Sequence, residues 1–207
     1  MKKLILPHQY LRILIKIIEN IQTLYIQAFF LIFRRFKYVD RYGSTYFMYH
    51  DTRPADTLRR GTRTDDTTVL DVIKTLLTYS IENGQQEIEC VDVGSYIGVM
   101  TLLMSSTIQE NGRVHSFEPF IDTFERQLEN VKLNKNTNNV VLNNCVVLDE
   151  NLSEIHLQCL DTPGQNYVLP NKTNKLKSVS VKAITLESYL IANNIKKVSV
   201  CKIDAEG

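Results

Sequence analysis

Two short stretches of this 207-residue chain carry residues whose types and spacing suit ligand chemistry. The first is Asp92-Val93-Gly94-Ser95-Tyr96-Ile97-Gly98, where an apolar run meets an acidic residue and then two glycines four apart. Glycines there permit a tight strand-to-helix turn and let a ligand come close to backbone N–H groups. The spacing is Gly-x-x-x-Gly rather than Gly-x-Gly-x-x-Gly, and Asp92 stands two residues ahead of the first glycine. A pyrophosphate gains nothing from a carboxylate beside its glycine turn, whereas a cationic ligand does, so the pattern favours the ammonium and sulfonium of S-adenosylmethionine over a dinucleotide. The second is Glu118, in Ser116-Phe117-Glu118-Pro119, twenty residues past Gly98. An acidic side chain at that point can accept both hydroxyls of a ribose through charge-assisted hydrogen bonds. Each feature alone has a plainer reading, a solvated strand-end carboxylate or glycines that let helix and strand pack; Asp92, Gly94, Gly98 and Glu118 together favour a ligand.

The elements around these residues alternate. Apolar strands are expected at Ile88 to Val93, Arg113 to Phe117 and Val140 to Val147, with helices at Ile97 to Gln109 and Ile121 to Asn134 between them. That alternation implies βαβ units, a parallel sheet and helices on both faces. After an acidic turn at Asp149-Glu150, the stretches Glu154 to Leu160 and Ser178 to Ala183 read as an antiparallel excursion around loop 161–177. A short helix from Thr185 to Asn193 and a fourth parallel strand from Val198 to Asp204 follow. Ahead of the first strand, a helix starts at Asp65 or Asp66, carries apolar residues from Val69 to Ile81 at helical spacing, and stops at Asn83-Gly84. Between Lys37 and Arg63 loops are expected, with a short strand around Thr45 to Tyr49.

Charge is uneven. The whole chain has 24 Lys and Arg against 23 Asp and Glu, a net +1. Residues 1–60 carry eleven basic and four acidic side chains, a net +7, which leaves −6 on the remaining 147 residues. That acidic remainder, with no basic patch interleaved with aromatics, speaks against a nucleic-acid partner. Residues Leu4 to Phe33 are strongly apolar, with Gln9, Arg12, Lys16, Glu19, Thr23 and Gln27 on one helical face, so an N-terminal amphipathic helix is expected. Its apolar face packs on protein or lies at a membrane surface anchored by Lys2, Lys3, Arg34, Arg35 and Lys37. A signal anchor is a third reading, against which the longest uncharged stretch, Asn20 to Phe33, is shorter than the ~20 residues that cross a bilayer. Cys90, Cys145, Cys159 and Cys201 lack metal or redox spacing, so buried free thiols and no bound metal are expected, and cytoplasmic or membrane-associated settings both remain open. Two sequons, at Asn151 and Asn171, are read as chance triplets.

The glycine turn extended to Val99-Met100-Thr101, the Phe117-Glu118-Pro119 triplet, Glu129-Asn130-Val131-Lys132-Leu133-Asn134, the Thr185-Leu186-Glu187 helix start and the terminal Lys202-Ile203-Asp204-Ala205-Glu206-Gly207 together resemble the FkbM family of S-adenosylmethionine-dependent methyltransferases. The resemblance covers roughly residues 86–207. It implies a Rossmann-like seven-strand sheet and methylation of a hydroxyl on a sugar or small natural product, with S-adenosylmethionine as cofactor. By position it implies that Asp92, Gly94, Ser95, Tyr96, Gly98 and Thr101 line the methionine and ribose side of the cofactor, that Glu118 holds the ribose and that Asp149 lies toward the adenine. Asp204 and Glu206 would face the acceptor, where a carboxylate orients or deprotonates a hydroxyl; the plainer reading is a strand-end cap. Ser95-Tyr96 departs from the Ala-Asn usual in the family, which puts a ring where it stacks on or crowds the cofactor. The chain also ends just after the fourth strand, where the family continues with three more. The expectation is therefore an N-terminal helical segment over 1–40, a connecting region over 41–85, and over 86–207 a methyltransferase sheet incomplete at its C-terminus, with the fourth strand as an edge. Against the enzyme stand a non-catalytic membrane-associated or scaffold protein built on half of such a fold, and a nicotinamide-dependent oxidoreductase, which the glycine spacing disfavours.

Overall fold

The computed structural model describes residues 16, 21, 24, 35–49, 66–158, 167–168 and 178–204. The chain divides into two compact units, Met1–Phe36 with Met48–Thr64 and Lys37–Phe47 with Asp65–Gly207. In the first, Lys16, Ile21 and Leu24 are helical, and the rest of the expected amphipathic helix lies outside the described residues. No helix among the described residues is long and apolar enough to cross a membrane.

The larger unit is built on a four-stranded parallel sheet. Strands β3 (Ile88–Val93), β4 (Gly112–Phe117), β5 (Val140–Asn143) and β10 (Val200–Ile203) take the order β10-β3-β4-β5. All but Glu89 of the β3 residues are buried, as a strand flanked on both sides and covered on both faces requires. Helices α1 (Asp66–Glu82) and α2 (Val99–Ile108) close one face: Leu70, Ile73 and Leu77 with Met100, Leu103, Met104 and Ile108 pack on Ile88, Cys90 and Val114. The stripe Val69, Val72, Leu76 and Tyr79 of α1 is exposed instead, so only part of its apolar repeat faces the sheet. On the opposite face Val91, Val93, Phe117 and Cys145 meet Leu186 and Tyr189 of α4 (Leu186–Ala192). Thr185 caps α4 by accepting from Ser188 N at 3.0 Å. The Tyr189 hydroxyl ties the helix to the sheet through His115 Nδ1 at 2.9 Å and Asn143 Nδ2 at 3.2 Å, while His115 Nε2 lies 2.8 Å from Glu89.

The run read as one strand from Val140 to Val147 is two. After β5 the chain turns at Asn144, whose Nδ2 donates to the carbonyls of Glu118 and Pro119 at 2.9 and 3.0 Å. β6 (Val146–Leu148) then enters a second sheet of order β6-β9-β7-β8, with β7 (Leu152–Gln158), β8 (Tyr167–Val168) and β9 (Ser178–Thr185). β7 and β9 pair antiparallel, as expected of the excursion, and β6 joins β9 in parallel. Cys90, Cys145 and Cys201 are free thiols, the first two buried and the third exposed; Cys159 and Asn171 lie outside the described residues. Asn151, the other sequon, accepts from Thr185 N and from the Ser188 hydroxyl, each at 2.8 Å.

Earlier in the chain, β1 (Arg35–Val39) pairs with β2 (Thr45–Tyr49) around a turn in which Asp40 Oδ1 accepts from the N–H groups of Tyr42 and Ser44. The expected loop region thus contains a strand that its short, mixed sequence does not announce. α3 (Ile121–Leu133) holds this ribbon by backbone: Asn130 Oδ1 accepts from Phe47 N at 2.7 Å and Asn134 Oδ1 from Thr45 N at 2.8 Å. The Asn130–Asn134 spacing is one helical turn, which sets both amides on one face of α3.

Gly112, at the start of β4, faces Ile88 across the sheet. A Cβ there would fall 1.8 Å from the Ile88 carbonyl oxygen, so β3 and β4 can hold their register only with glycine at this position. Gly112→Ala is expected to cost about 3 kcal/mol or more in urea unfolding, against about 1 kcal/mol for Gly84→Ala, which meets open space and only a left-handed backbone. Equal losses at the two sites would contradict this assignment.

Candidate functional site

The site grows from one row across the parallel sheet. Lys202 of β10, Asp92 of β3 and Ser116 of β4 are register neighbours and therefore project to the same face. Asp92 is fully buried. Thr101, in the first turn of α2, donates to Asp92 Oδ2 at 2.6 Å and accepts from Gln127 Nε2 at 3.2 Å. Gln127, likewise fully buried on α3, also donates to Ser116 Oγ and accepts from Ser95 Oγ. Lys202 Nζ lies 3.2 Å from Asp92 Oδ1, but its hydrogen bond goes to the Gly94 carbonyl at 2.9 Å. Asp92 Oδ1 consequently sits beside a positive charge with no hydrogen bond of its own.

The glycine turn follows directly. Gly94, Tyr96 and Gly98 all have left-handed backbones, with φ of 72°, 55° and 89°. The N–H groups of Gly94 and Ser95 both donate to the Phe117 carbonyl, which fastens the turn to the end of β4. Gly98 is the N-cap of α2, which therefore starts at Val99 and not at Ile97; Ile97 gives its carbonyl to Asn130 Nδ2 at 2.9 Å instead. A Cβ on Gly98 would stand 2.9 Å from Gln127 Cγ, so glycine is needed there for both its backbone and its space. At Tyr96 the left-handed backbone is one that Asn enters more readily than a ring-bearing residue, so the tyrosine is held there at some strain.

Glu118 closes the other side. Its Oε2 accepts from Tyr96 N at 2.9 Å and its Oε1 from Phe120 N at 3.1 Å, so the carboxylate clamps the glycine turn to the loop after β4. Each oxygen keeps room for one further donor. Burial pushes the Glu118 carboxyl up to about 7 despite these two N–H groups, with the charge of Asp92 adding to the rise and Lys202 opposing it.

Of the residues read from the sequence, Asp92, Gly94, Ser95, Tyr96, Gly98, Thr101 and Glu118 thus meet at the carboxyl ends of β3 and β4, where ligands of open α/β sheets collect. Asp204 lies at the end of β10, its side chain 63% exposed and 3.7 Å from Lys202 Nζ. Asp149 follows β6 of the second sheet and is exposed. Glu206 lies outside the described residues. Lys202, Gln127 and Asn130 escaped the sequence reading as site residues; Asn130 and Lys202 stand in motifs that carry the family resemblance, and Gln127 in none. Among the described residues no group of three or more His, Cys, Asp or Glu is gathered to hold a metal ion.

The parallel sheet with helices on both faces, and two acidic residues and a glycine turn at adjacent strand ends, is an α/β fold. Residues 92–207, more than half of the chain, match the methyltransferase FkbM domain, and the chain belongs to that family. Among solved structures it is similar to an S-adenosylmethionine-dependent methyltransferase from Agrobacterium tumefaciens, with 10% identity, TM-score 0.42, and coverage of 55% of this chain and 33% of that one. It is also similar to the methyltransferase FkbM from Methylobacillus flagellatus KT, with 12% identity, TM-score 0.38, and coverage of 74% and 43%. The chain therefore spans less than half the length of either. No curated protein matches it.

The raised Glu118 carboxyl makes stability depend on pH. Below its ordinary value of 4.5 the group is protonated in both folded and unfolded chains and adds nothing. From there to about 7 the folded chain keeps a proton that the unfolded chain has lost, so stability falls as pH rises, by about 3 kcal/mol in all. Urea unfolding of the wild type and Glu118→Gln at pH 4.5 and 8 is expected to show the variant gaining on the wild type by that order. A difference independent of pH would contradict it.

Proposed function

We propose that this chain binds S-adenosylmethionine and transfers its methyl group to a hydroxyl of a sugar or small natural product. The observation that carries the reading is Asp92 Oδ1, a carboxylate oxygen held out of water with no hydrogen bond, at the foot of a glycine turn. A buried acceptor in that condition is costly and suits a ligand that brings a donor. A cofactor with an ammonium at one end and a ribose diol further along matches Asp92 and Glu118 in turn. Asp92, Gly94, Ser95, Tyr96, Gly98 and Thr101 would hold the methionine and ribose side, and Glu118 would accept the ribose hydroxyls, each bond worth about 1.5–3 kcal/mol. Asp149 remains a proposed adenine-side residue on position in the sequence alone.

Bound there, the cofactor supplies an electrophilic methyl group. What falls to this chain's own residues is orientation and proton removal at the acceptor. Asp204 and Glu206, beyond the end of β10, are proposed to orient the acceptor hydroxyl and take its proton, with most of the rate enhancement coming from positioning. The basic segment 1–37 is proposed as a surface for anionic membranes, separate from this chemistry.

Calorimetric titration of the full chain with S-adenosylhomocysteine tests the cofactor reading. Saturable binding is expected, weakened at least tenfold by Asp92→Asn and by Glu118→Gln, with no saturable binding of NADH. Two variants that bind as the wild type does, or a folded wild type that binds nothing, would overturn it and favour a non-catalytic scaffold.

A further inference from the structure

Gln127 is fully buried on α3, and both polar atoms of its amide are bonded. The direction of each bond follows from Asp92. A carboxylate only accepts, so the Thr101 hydroxyl, 2.6 Å from Asp92 Oδ2, is the donor of that pair. A hydroxyl has one proton, and that of Thr101 is already used; its Oγ1 therefore meets Gln127 as an acceptor, 3.2 Å from Nε2. This requirement turns the amide. Its NH2 faces Thr101 and Ser116, and its carbonyl oxygen is left to accept from Ser95, whose proton is shared with the Phe117 carbonyl, each at 3.2 Å. The bonds thus run one way, from Ser95 to Gln127 to Thr101 to Asp92, and each donor is strengthened by the bond it accepts. Asp92, Ser95, Thr101, Ser116 and Gln127 are all buried, so solvent offers no easy substitute for a lost partner.

Gln127 also lies hard against the turn, since a Cβ on Gly98 would stand 2.9 Å from its Cγ. Its amide joins α3 to β4 through Ser116, to the glycine turn through Ser95 and to the first turn of α2 through Thr101. Without a donor at its Oγ1, the Thr101 hydroxyl is free to turn to a backbone carbonyl of the preceding turn, the usual alternative for a threonine in a helix. Asp92 Oδ2 would then lose the hydrogen bond that fixes it. We propose that Gln127 is a positioning residue for the cofactor site described above, a reading on which the inference rests: acting through Thr101, it directs that hydroxyl's proton onto Asp92 Oδ2 and so holds the carboxylate in the rotation that leaves Oδ1 open to a donor of the ligand. The amide acts at one remove, through the carboxylate it orients.

Calorimetric titration of the full chain with S-adenosylhomocysteine at pH 6 tests it, each variant read as a ratio to the wild type at the same pH so that titration of Glu118, common to both, cancels. Gln127→Met keeps the length of the side chain and removes the donor, and binding about tenfold weaker is expected. Gln127→Glu is nearly the same shape. Burial beside the Asp92 charge keeps its introduced carboxyl protonated at pH 6, where it still donates to Thr101, and affinity within about threefold of the wild type is expected. Thr101→Val is expected to weaken binding as Gln127→Met does, and the double variant no more than either alone, because one acts through the other. Equal losses in Gln127→Met and Gln127→Glu, wild-type binding by Gln127→Met, or losses that add in the double variant would each overturn the proposal. Should Gln127→Met fail to fold, Gln127→Glu alone reads the interaction: raising the pH from 6 to 9 strips its proton, its affinity relative to the wild type is expected to fall about tenfold, and an unchanged ratio overturns the proposal. A folded wild type that binds nothing overturns the cofactor reading itself, an outcome distinct from any of these.

Discussion

Asp92 is a carboxylate with no contact with water, and the rest of the domain is arranged around making that tolerable. Isolating such a charge costs several kcal/mol even after relaxation. The offset comes from three directions: the Thr101 hydroxyl from α2, the Lys202 ammonium from β10, and through Thr101 the Gln127 amide from α3. Each of these fixes an element. α2 must begin at Gly98 for Thr101 to reach back, α3 must lie close enough that Gly98 can carry no side chain, and β10 must pair with β3 in the register that sets Lys202 opposite Asp92.

Glu118 poses the complementary problem. It too is buried, and burial, with the charge of Asp92, outweighs the two backbone N–H groups and the more distant Lys202, so its charge is disfavoured and its carboxyl rises to about 7. The two carboxylates end adjacent parallel strands on either side of one glycine turn, one short of a hydrogen bond and the other short of charge stabilisation. Both deficits are of the kind that a ligand with donors at both ends removes, and both raise the free energy of the chain without it. Sites that bind tightly commonly hold such strain, and the left-handed backbone at Tyr96 adds to it.

Much of this was legible in the sequence because the parallel sheet has a strong signature. The apolar run of β3, the Gly-x-x-x-Gly turn and the acidic residue after β4 each follow from local patterning, and the family match, from residue 92 onward, covers the turn and the acidic residue. What was not legible depends on distant contacts. The Val140 to Val147 run is apolar on both sides of Asn143-Asn144, and its division comes from Asn144 bonding to the carbonyls of Glu118 and Pro119 after β4. Lys202 reads as an ordinary strand lysine until register sets it against Asp92, and Asn130 as a helix-surface amide until the ribbon of β1 and β2 is laid beside it.

The central claim is that Asp92, the glycine turn and Glu118 form one ligand site in this chain by itself. The measurement that addresses it most directly is a crystal structure of the chain grown with S-adenosylhomocysteine. The account predicts the ligand in the turn between β3 and α2, its ammonium beside Asp92 and its ribose hydroxyls on Glu118, with both Glu118 oxygens still bonded to Tyr96 and Phe120 N–H groups. Ligand bound elsewhere on the molecule, or in the turn with its ribose away from Glu118, would contradict it.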